Sequence, residues 1–192
     1  MNFPDVYGNK VVYEDFTPVG TVNDLVVYDL QTGSRTIIHH PNAYSHSNAK
    51  IYGDNVVYQS YNIVSEVTGV YAYNLQTGVY TTLMEGASSP DIYKDDVVFI
   101  GPDGIYHYNL ATSSLNRITM VASQKEYPAI YDNKVVWSDN RNQRRDIYMY
   151  DLSTKEESLL VEDQKYLGRI DIYGNRVVWG AGDPRFIYYI DF

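Results

Sequence analysis

The stretch "SDNRNQRRD", Ser138 to Asp146, gathers two carboxylates and three arginines within nine residues. Asp139 and Asp146 could serve as an acid pair, with Arg141 between them as an electrophile that steadies developing negative charge. The reading expected instead is a clasp, in which Arg141 bridges the two carboxylates and closes the loop at its base. A calcium loop does not fit: Arg141 holds the third position, where an oxygen ligand is needed, and the required glycine and final glutamate are missing.

Three of the four histidines, His39, His40 and His46, lie close together in "HHPNAYSHSN". Neutral imidazoles at such spacing could take zinc, but adjacent histidines chelate poorly together and no acidic residue flanks them in sequence. They are expected to be solvated loop residues, and no metal or other cofactor is expected. A third constellation is Asp5, Asp91 and Asp171, which recur at one position of a repeat, with Lys50 and Ala129 in the other two copies. A carboxylate pair can hydrolyse glycosides, but a position copied along the chain argues for a structural role or a weak ring of charge. There is no G-x-S-x-G elbow, no H-E-x-x-H, no phosphate-cradling glycine loop and no cysteine nucleophile, so the expectation is a protein that is not an enzyme.

The elements that would position these groups come from an internal repeat. Tyr7, Tyr52, Tyr93, Tyr131 and Tyr173 each sit in a phrase of the type "IYDNKVVWSD", at steps of 45, 41, 38 and 42 residues. A period near 40 marks repeated supersecondary units. A second phrase follows each first one, as in "LVVYDLQTG", "VYAYNLQTG", "IYHYNLATS", "IYMYDLSTK" and the clipped "IYYIDF". A third, looser apolar stretch completes four of the five copies.

Each unit reads as four short strands joined by turn residues, with Gly8-Asn9, Gly53-Asp54, Lys94-Asp95, Asp132-Asn133 and Gly174-Asn175 at the first hairpin. Asp29, Asn74, Asn109 and Asp151 are expected to bond their own backbone two residues on and so form the turn after the third strand. The strands are apolar at consecutive positions ("KVVW", "IYMY"), as expected when both faces of a sheet are covered. Small sheets stacked face to face around a ring satisfy that demand, which gives an all-β fold, a five-bladed β-propeller of four-stranded antiparallel blades. The blades span approximately residues 3–41, 48–86, 89–122, 127–163 and 169–192 of a single domain, 1–192. A linear β-solenoid also repeats, but its coils are usually shorter and lack these hairpins. The fifth copy lacks an outer strand, so Phe186 to Phe192 is expected to be an open apolar edge through which copies of the chain could pair as a homo-oligomer.

Composition narrows the partners. Fifteen basic against 24 acidic residues give a net charge of −9, which disfavours nucleic acid and anionic membrane surfaces. No apolar run approaches a membrane span, and Met1 is followed by "NFPDVYGNK" rather than by a signal-peptide pattern. The absence of cysteine removes disulfides and thiolate metal sites without fixing a compartment. The 21 tyrosines, on a background of valine and isoleucine, are strand composition. Those at repeated positions (Tyr13, Tyr58, Phe99, Trp137 and Trp179; Tyr28, Tyr73, Tyr108 and Tyr150) are expected to pack between blades.

The phrases "YPAIYDNKVVWSDNRNQRRDIYMYDLST" and "RIDIYGNRVVWGAGDPRFIYYIDF" resemble the tandem propeller repeats of archaeal cell-surface proteins, of the Methanosarcina type, and more distantly TolB-type propellers. The resemblance covers essentially the whole chain. It implies a secreted or surface-associated, non-catalytic binding or structural module, located outside the cell or at its surface. The chain departs from the pattern in having no export signal and no Asn-x-Ser/Thr acceptor.

Recognition is expected on the loops that join second to third strands, "EDFTPVGTVND", "QSYNIVSEVTG", "IGPDG", "SDNRNQRRD" and "GAGDPR", and on the connections between blades. These vary while the strands stay alike. The candidate ligand-binding residues are the unmatched aromatics Tyr44, Tyr61 and Tyr127, with Asp139 and Arg141. The expected partner is a protein or glycan. The alternatives are a self-assembling surface-layer building block and, less favoured, a propeller glycoside hydrolase or lyase.

Overall fold

The first hairpin of every copy needs a residue with positive φ. The computed structural model places one there each time: Gly8 at 57°, Gly53 at 61°, Lys94 at 55°, Asp132 at 53° and Gly174 at 61°. A Cβ on Gly53 would meet nothing within 4 Å, so glycine serves the backbone there and not the packing. The structure describes residues 4–16, 23–39, 43–162, 167–182 and 186–192, without the side chains of residues 43 and 44. Among them all regular structure is strand. The chain divides into two compact units, residues 1–90 and 91–192.

The first unit holds two antiparallel four-stranded sheets. One is β1 (Asp5–Tyr7), β2 (Lys10–Asp15), β3 (Asp24–Asp29) and β4 (Arg35–Ile38), and the other is β5 (Ala43–Tyr52), β6 (Asn55–Asn62), β7 (Val67–Asn74) and β8 (Tyr80–Glu85), each in sequential order. The second unit holds three more, apart from the first three residues of β9, Ser88 to Pro90, which belong to the first unit. They are β9 (Ser88–Tyr93), β10 (Asp96–Gly101), β11 (Gly104–Asn109) and β12 (Ser114–Arg117); β13 (Lys125–Tyr131), β14 (Lys134–Asp139), β15 (Asp146–Asp151) and β16 (Glu156–Val161); and β17 (Ile170–Tyr173), β18 (Arg176–Ala181) and β19 (Phe186–Asp191). The fifth sheet has three strands, as its clipped sequence suggests. The second begins at Ala43 rather than near residue 48, because two register shifts let a ten-residue strand follow its partner further upstream.

The repeated polar residues form the turns. Asp29 accepts from the Gln31 and Thr32 amides, Asn74 from Gln76 and Thr77, Asn109 from Thr112, and Asp151 from Ser153 and Thr154. The same side chains reach back toward the first hairpin, where Asn9 donates to Asp29 and Asn133 to Asp151. Asp5 accepts the Ile51 amide at 2.9 Å, and Asp91 accepts the Ile130 amide at 2.8 Å. These repeated aspartates therefore tie a first strand to the first strand of the next sheet.

Apolar residues at consecutive positions cover both faces of a sheet. In the first unit, Val12, Leu25 and Val27 pack on Ile51, Val56 and Tyr58. In the second, Val98 and Ile105 pack on Ile130, Val135 and Trp137, while Val136 and Ile147 pack on Ile172, Val177 and Trp179. The tyrosines that mark the period touch one another: ring centroids lie 4.3 Å apart for Tyr7–Tyr52, 4.6 Å for Tyr93–Tyr131 and 4.8 Å for Tyr131–Tyr173. Aromatics of the second strand stack on the third within a sheet at 6.0 to 6.2 Å, as in Tyr58–Tyr71, Phe99–Tyr106, Trp137–Tyr148 and Trp179–Tyr188. Packing between sheets, the role expected of the repeated aromatics, is seen for Tyr58, Trp137 and Trp179, which share core clusters with residues of the preceding sheet.

Tyr58 carries one cost. Its side chain is fully buried and its hydroxyl has no hydrogen-bond partner among the described residues, while burial pushes its ionisation upward. The equivalent position in the third sheet is Phe99, also fully buried. Tyr58→Phe is therefore expected to raise stability by about 1 kcal/mol, because it removes an unsatisfied buried polar atom at nearly constant shape. Urea denaturation checks this, and a loss of stability would show that the hydroxyl is satisfied.

Candidate functional site

In the second unit, the loop between β10 and β11 and the connection between β12 and β13 border one cleft of about 610 Å³, lined by Ile100 to Gly104, Arg117 and Ala122 to Lys125. Gly104 allows the close approach that shapes its wall. A Cβ there would lie 2.5 Å from the Thr119 hydroxyl oxygen, which accepts the Ile105 amide at 2.9 Å. Arg117 closes one side by donating to the Asp103 carboxylate and, at 2.7 Å, to the Thr119 carbonyl. The Tyr106 hydroxyl donates to Asp103 at 2.7 Å.

The next loop, between β14 and β15, is fastened to this connection. The Gln124 amide donates to the Asn140 side chain at 2.9 Å, and the Asn140 amide to the Gln124 carbonyl at 3.1 Å. Arg145 then pairs with Glu126 at 2.7 Å and donates to the Leu167 carbonyl at 3.3 Å, beside the fifth sheet. The β14–β15 loop is thus fastened to the connections on either side of its sheet, and together they form one continuous surface. Its outward groups differ in kind: Met120 is 74% exposed, and Gln124, Gln143 and Arg144 also face solvent.

Asp139 lies beneath that surface. It is 0% exposed and accepts from Arg141 Nη2 at 2.7 Å, the Arg141 amide at 2.9 Å and Trp137 Nε1 at 3.1 Å. The Lys125 ammonium stands 3.6 Å away, itself almost fully buried, and donates to the Val121 carbonyl at 2.6 Å and the Ser123 hydroxyl at 2.7 Å. Arg141 lies 3.9 Å above the Tyr148 ring and also pairs with Glu157. The expected clasp is real, but the second carboxylate that Arg141 grips is Glu157 on β16. Asp146 receives Asn142 at 2.8 Å. The six-residue span of loop between β14 and β15 directs Arg141 back across the sheet instead of along its own loop.

Burial is the largest influence on the Asp139 carboxyl and opposes its ionisation. The hydrogen bonds from Arg141, Ser123 and Trp137 outweigh it and hold the carboxyl down at about 2. For Lys125, burial pulls the ammonium below the usual lysine range against the attraction of Asp139. Because the folded value for Asp139 lies below the ordinary 3.8, its stabilising contribution is complete above about pH 4 and is lost as pH falls through 2, a change of about 2 kcal/mol. Thermal melts from pH 5 to pH 2 are expected to show this fall in the wild type and a smaller one in Asp139→Asn. Equal slopes would contradict the assignment.

The remaining candidates fall elsewhere. Tyr61 lies in β6, opposite Thr68, and is 37% exposed. Tyr127 is in β13 with φ 55° beside a bulge, partly buried against the Ile147–Trp179 core. Neither is on a loop, since the first and second strands run longer than the repeat suggests. Tyr44 belongs to β5, but its side chain lies outside the described residues, as does His40. His46 is not a solvated loop residue either. It is 1% exposed in β5, its ring edge-on to Tyr58 at 5.3 Å. His39 faces solvent, with Nδ1 2.9 Å from the Asp24 carboxylate. Among the described residues no three His, Asp or Glu side chains gather closely enough to hold a metal ion.

No protein-family model and no curated protein matches this sequence. Solved structures do match. A TolB from Agrobacterium tumefaciens aligns with 98% of the chain at a TM-score of 0.77 and 11% identity, the chain spanning 76% of that protein. The fold is a β-propeller. A propeller from a nidogen/laminin complex aligns at a TM-score of 0.66 and 11% identity, over 98% of this chain and 74% of its own. A puromycin-hydrolysing peptidase from Mycobacterium tuberculosis aligns at 0.73 and 14%, over 96% of this chain and 34% of its own. At such identities the likeness establishes the fold alone, a β-propeller with several four-stranded blades.

Comparing blades of the propeller shows what reading the sequence missed. Lys125 and Asp139 face each other across β13 and β14, as His46 and Ser60 do across β5 and β6. The same positions hold Ala87 and Gly101 in the third blade and Leu167 and Ala181 in the fifth, all buried. A core position that is apolar in the third and fifth blades is thus filled by an ion pair in the fourth. The repeat register could have exposed Lys125, since the lysine stands six residues before Tyr131, where the other blades carry His46, Ala87 and Leu167.

Proposed function

We propose that this propeller is a non-catalytic binding module, recognising a protein or a glycan through its loop surface and working outside the cell or at its envelope. One observation carries the reading. The β14–β15 loop and the connections before and after its blade, segments different in length and chemistry, are fastened to one another into a single surface on strands that are copies. The role of Asp5 and Asp91 as ties between first strands supports a part without a tuned acid and base. The TolB and nidogen/laminin likenesses support an envelope or extracellular setting and a protein partner.

The test is to pass the intact chain over arrays of glycans and of extracellular protein domains, with released sugars or peptides monitored in parallel. Saturable binding without turnover is the expected result. Turnover that disappears on changing Asp91 or Asp171 would replace the reading with that of an enzyme. A second reading, self-assembly into a surface array, is favoured by the exposure of Ile187 and Tyr189 in the fifth blade, 85% and 63%.

A further inference from the structure

The interface between successive sheets is built three times from the same parts. Leu25, Ile105 and Ile147, each 0% exposed, share their core clusters with Ile51, Ile130 and Ile172 of the next sheet. At each of the same three interfaces the marker tyrosines touch, at 4.3, 4.6 and 4.8 Å. Asp5 and Asp91 add a carboxylate that accepts the amide of Ile51 or Ile130.

One half of each kind is left open. Ile187 holds the place of Leu25, Ile105 and Ile147 but is 85% exposed, and Tyr173, the marker tyrosine of the same sheet, is 78% exposed. Asp171, in the place of Asp5 and Asp91, bonds the amide of its own neighbour Ile172. At the opposite pole of the repeat, Val6 holds the place of Ile51, Ile92, Ile130 and Ile172. They are 3 to 7% exposed, whereas Val6 is 61% exposed, and Tyr7 next to it is 39% exposed. The edge is largely apolar: the outer strand of the fifth sheet reads Phe-Ile-Tyr-Tyr-Ile-Asp, its one charge, Asp191, being paired with Arg176 at 2.6 Å.

We infer that the Asp171–Tyr173–Ile187 face of one molecule receives the Val6–Tyr7 face of a second copy of this chain, repeating head to tail the interface that already joins its own sheets. The inference rests on the self-assembly reading and specifies its geometry. Two complementary faces, rather than one face meeting itself, make the contact heterologous, so growth is open-ended unless a ring closes. By analogy with the three filled interfaces, Ile187 would be covered by Val6, Tyr173 would meet Tyr7, and Asp171 would turn to the Val6 amide.

Sedimentation velocity over a hundredfold range of concentration tests this, using the intact chain, Val6→Asp and Ile187→Asp. Both substitutions are at exposed sites, and circular dichroism checks that the fold is kept. The wild type is expected to gain mass with concentration, each variant alone to stay monomeric, and an equimolar mixture of the two to stop at a dimer, since each supplies the face the other lacks. A wild type that stays monomeric throughout overturns both the inference and self-assembly. Association that Ile187→Asp abolishes and Val6→Asp leaves intact overturns the head-to-tail inference alone and points to pairing of β19 edges.

Discussion

Asp139→Ala is expected to cost about 3–5 kcal/mol, the range for leaving a buried charge uncompensated. The carboxylate is 0% exposed and stands between the Lys125 ammonium, at 3.6 Å, and the Arg141 guanidinium, at 2.7 Å. Removing it strands Lys125, whose side chain is 2% exposed and whose other partners are neutral oxygens. Arg141 suffers less, because it keeps Glu157 and the Tyr148 ring. The fifth blade shows the remedy: Leu167 and Ala181 occupy the same positions. Lys125→Leu combined with Asp139→Ala copies that blade, and is expected to recover more than half of the loss, since a buried ion pair and an apolar pair of similar volume are often close in stability. Urea denaturation of the two single variants and the double measures the coupling. A single variant within 1 kcal/mol of wild type, or strictly additive losses, would mean that the cluster is solvated in the native protein.

The second large effect separates two residues that the sequence makes alike. Ile147→Ala should lose about 2–5 kcal/mol, the usual cost of emptying a packed core site. Ile187→Ala should change stability by no more than about 0.5 kcal/mol. Both open the third strand of a copy, in "IYMY" and "IYYI", but one is 0% and the other 85% exposed. Thermal unfolding of dilute protein, where no second copy is present to cover Ile187, measures both. Equal losses would contradict the exposure of the fifth sheet.

That pair shows how far the sequence could be read. Consecutive apolar residues such as Val135, Val136 and Trp137 betray a strand covered on both faces, and the spacing of the marker tyrosines gives the number of sheets. Strand and turn were legible because hairpins and Asx turns are local: the positive φ of Asp132 and the amides bonded by Asp151 depend on residues two to four positions away. Whether a face is covered depends on residues a full repeat distant, so Val6 read like its buried counterparts, whereas the missing fourth strand marked the segment holding Ile187 as an open edge. The site was less legible for the same reason. Arg141 was visible as a clasp, but its second partner, Glu157, lies on another strand 16 residues on. Nothing in the sequence singled out Lys125, and His46 read as part of a histidine-rich loop, because strand length and bulges decide their burial. Asp139 and Arg141, named as ligand contacts, support the surface from beneath it.

The division of labour between copied positions that build and uncopied ones that recognise has one most direct test. The intact chain and a variant carrying Met120→Ala, Gln124→Ala and Arg144→Ala are titrated calorimetrically with the protein domain or glycan that the arrays select, and their melting temperatures are compared. All three side chains are exposed on the loop surface of the second unit. The expected result is at least a tenfold loss of affinity, about 1.4 kcal/mol or more, with a melting temperature unchanged within about 2 °C. Undiminished binding by the variant would contradict the assignment of recognition to this surface.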